Sequence, residues 1–250
     1  MLKFFKMHGI GNDYIFIDNQ NNKQKINFGL LSKKICKRHF GVGSDGLIVI
    51  KNHKTLDAEM LIYNSDGSKA NICGNATRCT AFYLSKKLGK KNISIFSGNK
   101  ILNCKILKCN NQKAIVCVNM GSAKILKKAK NRAIVDIGNK HLVVLVKNYN
   151  FDVQKIGQKL SQKFCDGINV EFVKILSNDK IKIKVYERGS GITLACGSGA
   201  CASCFALNQL FGLSKNILVK LDGGNLFVKI GTQIQMIGES KFVYKGEILC

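Results

Sequence analysis

Residues 64–79, NSDGSKANICGNATRC, and residues 186–201, YERGSGITLACGSGAC, are two versions of one stretch. In each, a cysteine is followed by Gly, a small polar residue and further small residues, where an apolar run gives way to a helix start. Cys196 follows Cys73 by 123 positions, and other signals recur in the same order at nearly that offset. GIGN (9–12) is answered by DIGN (136–139), and SDGLIVI (44–50) by CDGINVEFV (165–173). Asn64 stands nine before Cys73, and Glu187 nine before Cys196. An offset held over most of the chain restricts the fold to two halves of like topology. Their boundary is expected near residues 121–133, giving halves of 1–121 and 122–250, with the C-terminal strand free to pack back onto the first.

Short strand-like runs recur throughout, among them YIFID, LIVI, NISIF, AIVCVNM, HLVVLVKN, KIKIKVYE and NLFVKI. Helical periodicity is clearest at 28–39, 75–89, 151–164 and 198–212. Many strands around a few long helices make an α+β protein of two pseudo-symmetric domains. Halves of this kind commonly meet at a cleft, where ligands bind.

Each cysteine therefore closes a strand and loop and immediately precedes a helix. The first-turn N–H groups of a helix have no intrahelical partner and carry partial positive charge. Gly74-Asn75 and Gly197-Ser198 are thus candidate anion sites, and the same field is expected to lower the pKa of a thiol placed there. If the halves face each other, one carboxylate can lie between two helix starts with a thiol on either side of its α-carbon. That arrangement suits inversion of a stereocentre, one thiolate removing the α-proton while the opposite thiol supplies another.

Composition narrows the classes further. No apolar run reaches the roughly 18 residues of a membrane span, and the opening MLKFFKMHGI has no signal-peptide pattern, so no membrane partner and a cytoplasmic address are expected. Eleven cysteines in a chain of this length, without a secretion signal, read as reduced thiols rather than a disulfide framework. The formal net charge of +25 comes from lysines spread along the chain without Trp or a basic aromatic stripe, so no nucleic-acid partner is expected. Cys196, Cys201 and Cys204 have the spacing of a [2Fe–2S] loop, with Cys250 as a conceivable fourth ligand. The helical character of GACASCFALNQL argues against that reading, because a helix turns Cys201 and Cys204 away from Cys196. No metal and no cofactor are expected.

The stretches KMHGIGNDYIFID, RHFGVGSDGLIVI, YNSDGSKANICGNATRC, DIGNKH, YERGSGITLACGSGACA and FVYKGEIL together resemble the diaminopimelate epimerase family, in order and across almost the whole chain. The resemblance implies two domains, each a β-barrel around a central helix, and cofactor-free interconversion of LL- and meso-diaminopimelate for lysine and peptidoglycan precursor synthesis. It implies Cys73 and Cys196 as the acid/base pair, with His141 and Glu187 adjusting their pKa values. Gly74, Asn75, Gly197 and Ser198 would hold the reacting carboxylate, while Asn12, Asn64, Asn139, Asn169, Glu187 and Arg188 would read the distal amino-acid end. Tyr244 would be a contact in a homodimer. The chain departs from the family pattern at Gly46, where some members carry Gln, at Lys140 in place of Pro, and at Ala76 and Thr77 in place of Gly and Ala. Ala76 is the departure expected to crowd a carboxylate. The alternative within this fold is a proline or hydroxyproline racemase, which has no charged distal end for Arg188 and the asparagines to bind. An iron–sulfur or nucleic-acid-binding protein is a remote alternative.

Overall fold

A computed structural model describes residues 1–21 and 26–249. The described residues divide into two compact units, one of Met1–Val118 together with the chain from Glu239 onward, the other of Asn119–Gly238. The first contains β1 (Leu2–Gly9), β2 (Asn12–Asp18), α1 (Phe28–Ile35), β3 (Gly46–Lys51), β4 (Ala58–Asn64), β5 (Lys69–Ala70), α2 (Gly74–Leu88), β6 (Asn92–Ser97), β7 (Lys100–Cys109) and most of β8 (Lys113–Gly121). The second contains β9 (Lys124–Ala129), β10 (Arg132–Asp136), β11 (Lys140–Leu145), α3 (Val153–Ser161), β12 (Asn169–Ser177), β13 (Lys180–Glu187), β14 (Gly191–Thr193), α4 (Gly197–Phe211), β15 (Asn216–Leu221) and β16 (Gly224–Lys229). A last long strand, β17 (Ile234–Ile248), begins in the second unit and ends in the first.

In the first unit β1 and β2 form a hairpin, α1 carries the chain to β3 parallel to β2, and β4 returns antiparallel. Helix α2 then crosses to β6, parallel to β4, and β7 and β8 follow as a meander. The end of β17 pairs with β1, and the Phe242 N–H reaches the carbonyl of Gln112 at 2.8 Å, so the strands close on themselves. Closure leaves few strand edges exposed. Helix α2 packs on β1, β6 and β7, and its residues from Gly74 to Phe82 are all buried. A helix buried on every side has little amphipathic signal; in α2 even Arg78 lies inside.

The second unit repeats the plan. Strands β10 and β11 form a hairpin, α3 crosses to β12 parallel to β11, β13 returns, and α4 crosses to β15 parallel to β13. Strand registers match as well. Tyr14↔Gly46 and Leu47↔Tyr63 in one unit correspond to His141↔Asn169 and Val170↔Tyr186 in the other.

The expected helices are present with shifted ends. The segment 28–39 stops at Ile35, where Cys36 caps the last turn, and 151–164 shrinks to Val153–Ser161 because Asp152 caps its start by accepting from the Lys155 N–H. Helices α2 and α4 each begin one residue earlier than their periodicity suggests and end at a glycine in the left-handed conformation, Gly89 and Gly212. The lysine-rich segment 124–129 forms strand β9, hairpinned with β10. Its residues are mostly exposed, so no alternation announced it. No helix among the described residues is long and apolar enough to cross a membrane.

Candidate active site

Cys73 and Cys196 occupy the same position in their units: each is the N-cap of the enclosed helix, in extended conformation. Each sulfur accepts the backbone N–H three residues on, from Ala76 in one unit and Gly199 in the other, both at 3.4 Å. A strand ending in Cys-Gly folds this way because the extended cap turns its side chain back over the first turn. No disulfide joins the cysteines among the described residues. Cys201 and Cys204 lie fully buried inside α4, and Cys250 lies outside the described residues.

Around Cys73 the first unit places a hydroxyl and two side-chain amides. The Tyr14 hydroxyl is 3.0 Å from the sulfur, and the thiol points to Asn12 Oδ1 at 3.8 Å. Asn12 Oδ1 also accepts from Asn75 Nδ2 at 2.9 Å, while Asn12 Nδ2 donates to Asp45 at 2.6 Å. Asp45 therefore fixes which face of the Asn12 amide looks toward the cysteine. Burial and then the charge of Asp13 raise the Asp45 pKa. Asp13 itself is held below the usual range: burial acts the other way, but hydrogen bonds from Arg38 and Lys6 outweigh it. Arg78 donates to Asn75 Oδ1 at 2.8 Å, to the Gly74 carbonyl at 3.4 Å and to the Glu239 carbonyl at 3.3 Å, tying the helix start to β17. Asn64 is exposed at the end of β4 and donates to Ser68.

The departures in this unit have local explanations. Gly46 lies bare against Tyr63 and Tyr14; a Cβ there would come within 2.5 Å of the Tyr63 carbonyl and 3.2 Å of the Tyr14 ring. The tyrosine that reaches Cys73 thus packs where a larger residue would stand. Thr77 donates its hydroxyl to the Cys73 carbonyl at 2.8 Å, and Ala76 is fully buried.

Around Cys196 the second unit builds a titratable shell. His141 Nδ1 lies 2.7 Å from Glu171 Oε1, and both side chains are completely buried. Glu187 is half-buried as a residue with its carboxyl turned inward, accepting from Thr193 Oγ1 at 2.5 Å. Burial raises the Glu187 pKa, and Glu171 adds to it. The Cys196 thiol is also raised well above its ordinary value, by burial first and then by Glu187 and Glu171. This corrects the expectation that a helix start lowers the thiol: at Cys196 the Gly199 N–H and the Ser198 hydroxyl do favour the thiolate, but desolvation and two carboxyl groups win. Ser198 Oγ lies 3.6 Å from the sulfur.

Asn169 and Arg188 also meet. Asn169 Oδ1 accepts the Arg188 backbone N–H at 2.9 Å, and Arg188 donates to the Asp166 carbonyl at 3.0 Å. Gly167 makes room for this, since it has φ +68° and a Cβ there would lie 3.1 Å from the arginine stem. Asn139 and Lys140 are exposed at the β10–β11 turn, two and one residues before His141, and the Asn139 carbonyl accepts from the Ile137 N–H at 3.2 Å. Tyr244 is exposed on β17, its ring edge-on to Phe4.

Four shell residues escape a reading of the sequence: Tyr14, Asp45, Arg78 and Glu171. One was within reach: Tyr14 follows Asn12 by two as His141 follows Asn139.

A family model described as Diaminopimelate epimerase matches residues 4–126 and 133–243. A diaminopimelate epimerase of Rickettsia massiliae is 37% identical over 270 aligned positions that span 100% of this chain and 98% of the relative. One from Rickettsia bellii is 38% identical over the same spans. Among solved structures, a phenazine biosynthesis protein of Bacillus anthracis superposes with TM-score 0.75 at 14% identity, covering 100% of this chain and 99% of that one. A hydroxyproline epimerase from Agrobacterium vitis gives TM-score 0.73 at 11% identity, covering 98% and 91%. At such identities these two likenesses bear on the fold alone.

Proposed function

The chain belongs to the diaminopimelate epimerase family, and from that membership we propose that it interconverts LL- and meso-diaminopimelate by two-cysteine acid/base catalysis without a cofactor. The observation that carries the reading is the duplicated corner, a cysteine capping an enclosed helix in each half of a chain matched over its whole length. An α-proton beside an amino-acid carboxylate is a weak acid, and inversion needs a base on one face and an acid on the other. First-turn N–H groups at Gly74-Asn75 and Gly197-Ser198 supply partial positive charge for the carboxylate, which makes the carbanion-like transition state less costly. The Cys196 thiol, held protonated by burial and its carboxylate neighbours, is in the form that donates. The Cys73 sulfur lies against the Tyr14 hydroxyl and accepts the Ala76 N–H, and both can stabilise its thiolate by hydrogen bonding.

The distal end of the substrate is read by Arg188, Asn12, Asn64, Asn139, Asn169 and Glu187. Asn169 acts chiefly on Arg188, since its oxygen already holds the arginine backbone. The enzyme works in the cytoplasm in lysine and peptidoglycan precursor synthesis, as a homodimer in which the exposed Tyr244 is a contact.

Two measurements test the reading. Purified protein given LL-diaminopimelate without added cofactor produces the meso isomer, while proline and hydroxyproline remain unchanged; the reverse preference would make it a proline-type racemase. Arg188→Lys keeps the charge but loses the bidentate fork, so KM rises by about tenfold or more with a smaller change in kcat. Unchanged KM would move the distal carboxylate to other residues.

A further inference from the structure

Strand β12 carries Val170, Glu171, Phe172 and Val173, all buried; its counterpart β3 carries Leu47, Ile48, Val49 and Ile50, also buried. By register Glu171 stands where Ile48 stands, since Asn169 matches Gly46. A fold that accepts isoleucine at this position needs no carboxylate for its core. An ionised carboxylate taken out of water costs several kcal/mol unless it is paired and hydrogen-bonded. Two further differences between the halves converge on the same spot. His141, at the position of Tyr14, brings Nδ1 to 2.7 Å from Glu171 Oε1. Gly199, at the position of Ala76, leaves the space, for a Cβ there would lie 2.4 Å from that same oxygen. A donor atom of His141, one of Glu171 and the Cys196 sulfur all lie within 4.8 Å of one another.

We propose that Glu171 is a positioning residue for the inversion: it accepts the Nδ1 hydrogen of His141 and so holds the imidazole in one orientation and one tautomer beside Cys196. The inference rests on the epimerase reading. A carboxylate can only accept, so the ring nitrogen facing it carries the hydrogen and Nε2 becomes the basic nitrogen of the corner. Among the described residues, His141 Nε2 and Glu171 Oε2 are buried side-chain atoms without a hydrogen-bond partner, which leaves both open to a visiting group. The titratable groups that face the thiol are His141 on β11, Glu171 on β12 and Glu187 on β13. Of these only Glu171 touches the imidazole through a described hydrogen bond.

The test uses Glu171→Gln, which keeps the shape, and Glu171→Ile, which installs the residue that the first half packs at this position. Both variants are expected to lose about 10- to 100-fold in kcat for LL-diaminopimelate, as outer partners of a functional histidine do, with KM within about twofold. The alkaline limb of kcat/KM, where the Cys196 thiol ionises, moves to lower pH because one of the charges that oppose the thiolate is gone. A parent enzyme that turns over while both variants keep its kcat and its pH profile overturns the proposal. Nitrogen-15 NMR of the parent chain, which has four histidines, gives a readout independent of activity and of how well the variants fold. A hydrogen on Nδ1 of His141 supports the proposal, and a bare Nδ1 overturns it. A parent that shows no turnover defeats the epimerase reading instead, and the tautomer still decides the placement of the imidazole.

Discussion

Replacement of either Cys73 or Cys196 by Ala abolishes epimerisation, with kcat falling by about four orders of magnitude. Each thiol is the proton carrier for one face of the α-carbon, and the hydroxyls beside the sulfurs, Tyr14 at Cys73 and Ser198 at Cys196, belong to a class that ionises less readily than a thiol. The fold should survive, because a sulfur is a weak acceptor and its loss as a helix cap costs about 0.5 kcal/mol. The single variants also differ from a dead enzyme in an instructive way. The remaining thiol can still remove and return a proton on its own face, so substrate of matching handedness picks up deuterium from D₂O without inverting. In the parent, early product carries deuterium at the inverted carbon while recovered substrate carries almost none. Proton NMR and chiral chromatography separate these outcomes. Inversion by the Cys196→Ala variant at near the parent rate would mean a single base serving both faces.

Arg78→Met, which replaces the volume and removes the donors, is expected to destabilise the first unit by about 3 kcal/mol. Arg78 is fully buried, and its donors serve Asn75 Oδ1 and the carbonyls of Gly74 and Glu239. Methionine leaves those acceptors without the guanidinium, and each unsatisfied buried group costs about 1–3 kcal/mol. A lower urea midpoint with an unchanged slope is the expected signature. Activity also falls, since Asn75 loses its tether beside Asn12. A midpoint equal to the parent's would show that other donors take over.

The repeat was legible because both corners need the same residues. A cysteine cap must be followed by Gly or another small residue where a helix starts against a strand, and such requirements leave a recognisable string at Cys73-Gly74 and Cys196-Gly197. The shells around the cysteines were not legible, for reasons of physics. Arg78 sits on a helix between Thr77 and Cys79, and an arginine there reads as solvent-facing until the strands are seen to close around the helix. Glu171 interrupts an apolar strand, NVEFV, where a single acid fits an outward position as well as an inward one. Its direction follows only from the pairing of β12 with β11, which sets Asn169 opposite His141. The lowered thiol pKa expected at Cys196 failed for a related reason: the helix start is local and visible in sequence, whereas the burial that chiefly raises the thiol, and the Glu187 and Glu171 carboxyls that add to it, come only with the folded strands.

Strand β17 has a consequence for how the protein is made. Its final residues supply the partner of β1, from Leu2↔Ile248 to His8↔Lys241, and the carbonyl that Arg78 grips comes from Glu239. During synthesis β1 leaves the ribosome well before its neighbour β17, which emerges only after the second unit. The first unit therefore waits, with an unpaired β1 and an ungripped arginine, while the whole second unit is translated. At the usual pace of about 5–20 residues per second, that exposes an incomplete barrel to chaperones and to other nascent chains for several seconds. A ribosome stalled within β17 would hold a chain in which the second unit is nearly complete and the first is not, the reverse of the order in which they were encoded.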